Sequence, residues 1–161
     1  MNYVRGNLIE MFERNEVSVI IHGCNCQKKM ASGFAGQLVK KYPSIKEEDQ
    51  LTNSDAEAKL GSFTYVGISE NNASKVIINA YTQLNYGRDP AVVYVDYVAL
   101  RKCFRRIACF FKNFEDVFGG RYKIGIPKIG AGLANGDWSI ISAIIEEEMK
   151  GLDLTVVEYD K

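Results

Sequence analysis

Short apolar runs alternate with segments of helical periodicity along the whole chain. Runs rich in β-branched residues predict strands at Tyr3–Arg5, Val17–His22, Phe63–Gly67, Val76–Tyr81, Tyr122–Ile126 and Leu152–Tyr159. Apolar residues spaced three and four apart, together with charged segments, predict helices over Gly33–Tyr42, 45–58, 96–114 and 138–149. Asn71 and Asn72 predict a turn. Because strands alternate with helices, we predict an α/β sheet with helices on its faces.

The segment 96–114 has the clearest helical pattern. One face carries its apolar residues, which are Leu100, Cys103, Phe104, Ile107, Phe110, Phe111 and Phe114. The opposite face carries four basic residues, Arg101, Lys102, Arg105 and Arg106. This basic cluster is either a solvated helix face or a nucleic-acid-binding patch. The formal net charge of zero and the pI of about 6.6 favour the solvated face, because they exclude a general basic field.

Length and composition predict a small globular protein. A chain of 161 residues is the size of one domain, and we expect residues 1–161 to form a single domain that needs no disulfide or metal. The first residues, MNYVRGNLIEMFER, lack the apolar segment of a secretory signal, and the longest apolar runs are too short to span a membrane. The four cysteines are therefore expected to be reduced, in a monomeric cytoplasmic protein.

Glycine-rich segments follow two of the buried strands, and each leads into a predicted helix. GCNCQKKMASGFAG follows Val17–His22, and PKIGAGLANGDW follows Tyr122–Ile126. Ligands of α/β sheets bind at the carboxyl ends of the strands, where glycine lets backbone N–H groups approach an anion. Two such loops could hold a pyrophosphate from both sides. The alternative is that the glycines only form tight turns, since neither loop matches a standard phosphate-binding motif.

His22 is the only histidine in the chain and stands at the end of a buried strand. It is either a satisfied structural group or a general acid or base. Cys24 and Cys26 lack the spacing of a zinc site, and we interpret them as packing thiols, with a Cys24–His22 nucleophile pair as the alternative. Asp137 is expected to cap the helix that follows it and to remain ionised there.

Five segments, in this order, resemble the macro domain family, the ADP-ribose-binding module. They are YVRGNL for a strand ending in G-D-I/L, IHGCN for V-N-A-A-N, MASGFAGQL for the glycine loop GGGVAGAI, IPKIGAGLANGDW for the second loop P-x-I-x-x-G-x-x-G, and the terminal strand TVVEY. The resemblance covers nearly the whole chain. It implies a three-layer α/β/α fold with a central mixed, mostly parallel sheet and with ADP-ribose in a cleft at the strand ends.

The resemblance also implies where ADP-ribose would lie. Asn7 would bond the adenine amino group, Leu8 would lie beside the adenine, and Tyr159 would stack on it. Asn25 would contact the distal ribose, and Tyr81 and Gln83 would line the distal end. The pyrophosphate would lie between two loops, one formed by Ser32, Gly33, Phe34, Ala35 and Gly36, the other by Ile129, Gly130, Ala131, Gly132, Leu133 and Ala134. Lys28 and Lys29 would add a mild attraction at the rim.

The H-x-C-N-C form that begins at His22 is similar to the branch that includes the yeast-type ADP-ribose 1''-phosphate phosphatase. Related members use a lysine on a central strand, and the strand VIINAYTQ has none. The resemblance therefore implies a phosphatase that activates water non-covalently and uses no metal or other cofactor. His22 would handle a proton, while Asn25 and Asp137 would position the water and the distal ribose.

Two alternatives to the phosphatase remain open. One is a hydrolase that releases ADP-ribose from modified protein or nucleic acid, and the other is a reader that binds ADP-ribose without turnover. In all three, the expected partner is ADP-ribose or a derivative. Nucleic acid is expected only as an ADP-ribosylated substrate, and no membrane partner is expected.

Overall fold

The computed structural model describes residues 1–52, 55–118 and 120–159, which form a six-stranded sheet covered by helices. The strands are β1 (Asn2–Gly6), β2 (Val19–Asn25), β3 (Phe63–Glu70), β4 (Ala73–Gln83), β5 (Lys123–Ile126) and β6 (Asp153–Tyr159). The helices are α1 (Leu8–Glu13), α2 (Gly33–Lys41), α3 (Ser44–Gln50), α4 (Ala56–Lys59), α5 (Tyr97–Phe118) and α6 (Trp138–Glu148). Among the helices of these residues, none is both long and apolar enough to cross a bilayer.

The strand order across the sheet is β1-β6-β5-β2-β4-β3. Every neighbouring pair is parallel except β3 and β4, which form an antiparallel hairpin. Its turn is the predicted pair Asn71 and Asn72, whose φ angles of 49° and 60° suit a two-residue hairpin turn. The predicted mixed, mostly parallel sheet is thus confirmed. The carboxyl ends of β1, β2, β4, β5 and β6 consequently lie along one edge.

Side chains alternate along each strand between two hydrophobic cores. On β2, Val19 and Ile21 belong to the core that includes α5 and α6, whereas Ile20 and Cys24 belong to the core on the opposite face with α1, α2 and α3. The sheet therefore lies between two helical layers, and the three-layer fold expected from the resemblance is confirmed. On the outer face of α5, Arg101 and Arg105 both pair with Glu148 of α6.

Several elements differ from the sequence-based prediction. Helix α1 is not signalled by the hydrophobic pattern because it is only six residues long. The predicted helix 45–58 is interrupted, since α3 ends at Gln50 and α4 begins at Ala56, with positions 53 and 54 lying outside the described residues. Strand β4 begins earlier than predicted and includes Lys75, whose Nζ donates to the Phe12 carbonyl at 2.6 Å, at the strand end remote from the glycine loops.

Candidate ligand-binding cleft

Two adjoining cavities open at the carboxyl edge of the sheet. The larger has a volume of about 520 Å³ and the smaller about 370 Å³. Both are lined by Gly33 and Phe34 of the first glycine loop and by Pro127 and Lys128 of the second, so the cavities meet where the two loops face each other. The arrangement is a single elongated cleft with a glycine loop on either side of its middle.

The first loop owes its shape to Asn25 and to its glycines. The side-chain oxygen of Asn25 accepts from the N–H groups of Gln27 and Lys29, and its amide nitrogen donates back to the Lys29 carbonyl at 2.8 Å. Gly33 has a φ of 60°. A Cβ at Gly36 would lie 2.8 Å from the Ala31 carbonyl oxygen, which only glycine avoids. Asn25 therefore holds the loop in place as well as lining the larger cavity.

The start of α2 offers backbone donors to the cleft. Ser32 is the N-cap residue, yet its side chain makes no capping hydrogen bond. The first N–H groups of a helix have no acceptor inside the helix, and the helix dipole gives this end a partial positive charge. Gly33, Phe34 and Ala35 occupy that first turn, and all three line the larger cavity. This part of the wall is suited to an anion.

The second loop turns back on itself. Gly130 has a φ of 75°, and the N–H of Gly136 donates to the Gly130 carbonyl at 2.7 Å. Within the described part of the chain, the N–H groups of Gly132, Leu133 and Ala134 have no protein acceptor. All three residues line the larger cavity, as do Ile129 and Gly130. Ala131 lies in the same turn without lining either cavity. Both glycine loops therefore present backbone donors toward the cleft.

His22 lies at the floor of the larger cavity and is almost completely buried. Its Nε2 is 2.6 Å from the side-chain oxygen of Asn79 on β4. Burial lowers the pKa of His22 to about 4. The hydrogen bond to Asn79 raises this pKa, but it offsets only part of the effect of burial. The imidazole is thus neutral at neutral pH, so a role as base fits the structure and a role as resting general acid does not.

Cys24 lies beside His22, as the strand periodicity predicts. Its Sγ is 3.6 Å from Nε2 and 3.8 Å from Nδ1, so the thiol is not aimed at one ring nitrogen. Burial raises the pKa of the Cys24 thiol well above its ordinary value. A thiolate nucleophile is disfavoured by that environment, and the packing interpretation of Cys24 fits the structure.

Asp137 and Tyr81 do not line either cavity. Asp137 caps α6, where the hydroxyl and the N–H of Ser139 donate to its carboxylate and hold its pKa below the usual value. Tyr81 is fully buried on the α3 side of the sheet, and its hydroxyl donates to Asp49 at 2.8 Å. The neighbouring Gln83 does line the larger cavity.

The smaller cavity is the apolar end of the cleft. Leu8, Phe34 and Tyr159 line it, and Tyr159 is 63% exposed. Asn7 stands between two lining residues, Gly6 and Leu8, and its side-chain oxygen accepts from the Glu10 N–H as the N-cap of α1. The cap leaves the side-chain amide nitrogen of Asn7 without a partner among the described residues.

No family model matches the chain. An uncharacterized 17.5 kDa protein of Enterobacteria phage T4 is 32% identical over 161 residues, which are 99% of this chain and 97% of that protein. The ADP-ribose 1''-phosphate phosphatase of Saccharomyces cerevisiae is 23% identical, with 98% of both chains covered. The macrodomain of Mycobacterium tuberculosis DarG has the same fold, with a TM-score of 0.75 over 99% of this chain and 97% of that one at 17% identity.

The chain belongs to the macro domain family. The two glycine loops of this macro domain are those identified in the sequence, and they are the walls of the cleft. The residue roles expected from the resemblance stay predictions.

Sequence reasoning missed several residues of the macro domain cleft. Arg88 lines the larger cavity, as does Tyr86, and Lys128 lines both cavities while pairing with Glu158 at 3.0 Å. Lys29, expected at the rim, lines the larger cavity as well, whereas Lys28 does not. The position of Arg88 shortly after a buried strand that ends at the cleft could have predicted its place in the lining. Asn79 carried no signal, because an amide within an apolar strand has no characteristic spacing.

Proposed function

We propose that this macro domain binds ADP-ribose 1''-phosphate and hydrolyses its terminal phosphate ester. The observation that carries the proposal is the lining of the larger cavity, which combines a neutral buried histidine with three basic side chains. Lys29, Arg88 and Lys128 line it, and no carboxylate does among the described residues. Such a lining attracts an anion with more than one phosphate. The name of the yeast relative, ADP-ribose 1''-phosphate phosphatase, supports the same substrate.

The shape of the cleft suggests how the substrate would lie. The pyrophosphate would occupy the middle, between Gly33–Ala35 and Gly132–Ala134, where both loops offer N–H donors. The adenine would enter the smaller cavity, beside Leu8 and Tyr159, and Asn7 would be at its edge. The distal ribose and its phosphate would then point into the larger cavity, toward His22.

His22 would act as the base. Water attacks the phosphorus atom, a new O–P bond forms, and the bond from phosphorus to the 1'' oxygen breaks. The proton that water loses passes through His22 to the 1'' oxygen, so the products are ADP-ribose and inorganic phosphate. A bound phosphate dianion beside the ring would raise the pKa of His22 and strengthen it as a base. The loop N–H groups and Arg88 would stabilise the charge on the phosphate oxygens.

The roles that the resemblance implies for Asn25 and Asp137 remain predictions. Asn25 lines the larger cavity and could contact the distal ribose through the side-chain N–H that the loop does not use. Asp137 lies outside the lining, so a catalytic role for it needs either a water-mediated contact or a movement of the second loop. Replacement of Asp137 by Asn tests this role, because the cap on α6 is largely retained.

Phosphate release from ADP-ribose 1''-phosphate tests the proposal directly. We expect the wild type to release phosphate and to bind ADP-ribose by calorimetry. His22→Gln should abolish phosphate release while ADP-ribose still binds. Arg88→Gln should raise the KM for the phosphorylated substrate more than it weakens ADP-ribose binding. Lys112→Gln on the exposed surface of α5 is the matched control and should change neither.

The result decides between the function classes. If the wild type binds ADP-ribose but releases no phosphate, the phosphatase proposal fails. Release of ADP-ribose from modified protein or nucleic acid would then support the hydrolase, and the absence of any turnover would leave the reader. If calorimetry detects no binding of ADP-ribose, the ligand assignment itself fails.

A further inference from the structure

A buried network of hydrogen-bonded side chains connects the cleft histidine with an ion pair on the α3 side of the protein. Asp49 of α3 and Lys59 of α4 form the pair, with Nζ 2.8 Å from Oδ1 and both side chains almost fully buried. Tyr81, which the mechanism does not use, donates to the same carboxylate oxygen. Buried ion pairs are weak contributors to stability and need another reason for being kept.

The donors and acceptors of this network can be assigned in only one consistent way. Tyr81 has a single hydroxyl hydrogen and gives it to Asp49, so Thr64, 3.0 Å away, must donate to the Tyr81 oxygen. The Thr64 oxygen then accepts from the side-chain nitrogen of Asn79 at 3.2 Å. The other hydrogen of that nitrogen goes to the Ile45 carbonyl at 3.1 Å.

This assignment decides the protonation of His22. Both hydrogens of the Asn79 amide point away from the cleft, so its oxygen faces the ring. A flipped amide would place its oxygen against the Ile45 carbonyl, which is also an acceptor. The neutral imidazole must therefore carry its hydrogen on Nε2, and Nδ1 is left with its lone pair.

Asp49 is connected indirectly to both acceptors of the Asn79 amide, the Ile45 carbonyl and the Thr64 hydroxyl. Ile45 lies one helical turn before Asp49 on α3, and the bonds of the Asp49 carboxylate to Lys59 and Tyr81 fasten this helix to α4 and β4. Thr64 is oriented through Tyr81. The ion pair does not line the cleft, yet two routes connect it to Asn79 and so to His22.

We infer that Asp49 and Lys59 are positioning residues, which keep His22 as the Nε2-protonated tautomer with Nδ1 as the base. The catalytic consequence rests on the proposed phosphatase function, whereas the tautomer is a property of the protein alone. Around metal-ligating histidines, loss of the partners that fix the ring costs about 10- to 100-fold in metal affinity or activity, and we expect about ten-fold in activity here.

The test uses the only histidine of the chain as its own probe. Nitrogen-15 shifts of the ring at pH 7 should show one Nε2-protonated tautomer in the wild type. In Asp49→Leu/Lys59→Met, which removes the pair without leaving an unpaired charge, the shifts should move toward a mixture of tautomers. For phosphate release, kcat should fall about ten-fold, while KM and ADP-ribose binding stay as in the wild type.

Glu70→Leu/Lys75→Met is the matched control, since it removes another ion pair with a buried lysine, and Lys75 lies on β4, the strand that carries Asn79 and Tyr81. It should leave both the ring shifts and kcat unchanged. An Nδ1-protonated wild type, or a folded Asp49→Leu/Lys59→Met variant with wild-type shifts, would overturn the inference. If that variant does not fold, Tyr81→Phe removes the hydroxyl that connects Asp49 with Thr64, and it should move the ring shifts in the same direction. A wild type without phosphatase activity would refute the proposed function only, because the ring shifts are measured without substrate.

Discussion

The Nε2 atom of His22 on β2 lies 2.6 Å from the side-chain oxygen of Asn79 on β4, inside the sheet and beneath the cleft. The two residues face each other across paired parallel strands, where His22 is in register with Asn79. This contact ties the only histidine of the chain to the protein interior, where burial keeps the ring neutral.

The burial of His22 makes the stability of the protein depend on pH. In the unfolded chain the histidine takes up a proton near its ordinary pKa of 6.5, whereas in the folded protein it does so only near pH 4. The stabilisation that comes from this difference in pKa is therefore fully present above pH 6.5. It is lost as the pH falls toward 4, by about 3 kcal/mol in all. Urea unfolding at several pH values should show it, and His22→Gln should give a smaller slope in this window. Parallel curves for the two proteins would contradict the prediction.

A substitution at Gly132 should affect ligand binding without affecting the stability of the fold. A Cβ at this position meets no protein atom within 4 Å, although the residue lines the cleft. Gly132→Ala should leave the free energy of unfolding within about 1 kcal/mol of the wild type, and should weaken ADP-ribose binding because the methyl group enters the space for the ligand. Gly67→Ala on β3 is the control, since its Cβ is equally free but remote from the cleft. Equal affinities for the two variants would argue against contact between the second loop and the ligand.

The ion pair of Asp49 and Lys59 should respond very differently to single and double replacement. Lys59→Met leaves a buried carboxylate without its cation and should destabilise the protein by about 3–5 kcal/mol. Asp49→Leu/Lys59→Met should recover most of that loss, because no charge remains unpaired. Chemical denaturation measures both. Lys41→Met, which breaks a half-exposed pair with Glu13, should cost less than about 1 kcal/mol. A Lys59→Met cost as small as that would show that the buried pair is not strongly coupled.

Thiol labelling distinguishes Cys109 from the other three cysteines. Cys109 is exposed, whereas Cys24, Cys26 and Cys103 are buried. Burial also raises the pKa of all three buried thiols, which disfavours the reactive thiolate. Native protein should therefore react quickly at one thiol, and Cys109→Ser should remove that reaction. Rapid labelling of Cys24 in the native state would reopen the nucleophile hypothesis.

The parts of the site that the sequence predicted are those that local pattern controls. A run of apolar residues ending at His22 marks a buried strand, and the glycines after it mark a loop entering a helix. Gly33 and Gly130 do adopt positive φ, as such turns require. Helix α1 escaped prediction because six residues are too few for a periodicity to be read.

Asp137 shows where local inference stops. Its position before α6 correctly predicts a helix cap, which depends only on neighbours such as Ser139. Whether the same carboxylate also reaches the ligand depends on how the second loop folds over the sheet. Its absence from the cleft lining leaves the catalytic role a prediction. Tyr81 was expected at the distal end, but it is buried in the core on the α3 side, and Gln83, the last residue of β4, lines the cavity instead.

The sequence alone predicts the α/β class, the order of most elements, the two glycine loops and the place of His22. These features follow from periodicity and turn chemistry within a few residues. Which side chains meet at the cleft is a matter of tertiary structure. Arg88 and Lys128 are brought to one cavity by different strands, and Asn79 meets His22 across 57 residues of chain. Such contacts depend on strand order and register, which pack distant segments together and leave no local trace in the pattern of residues.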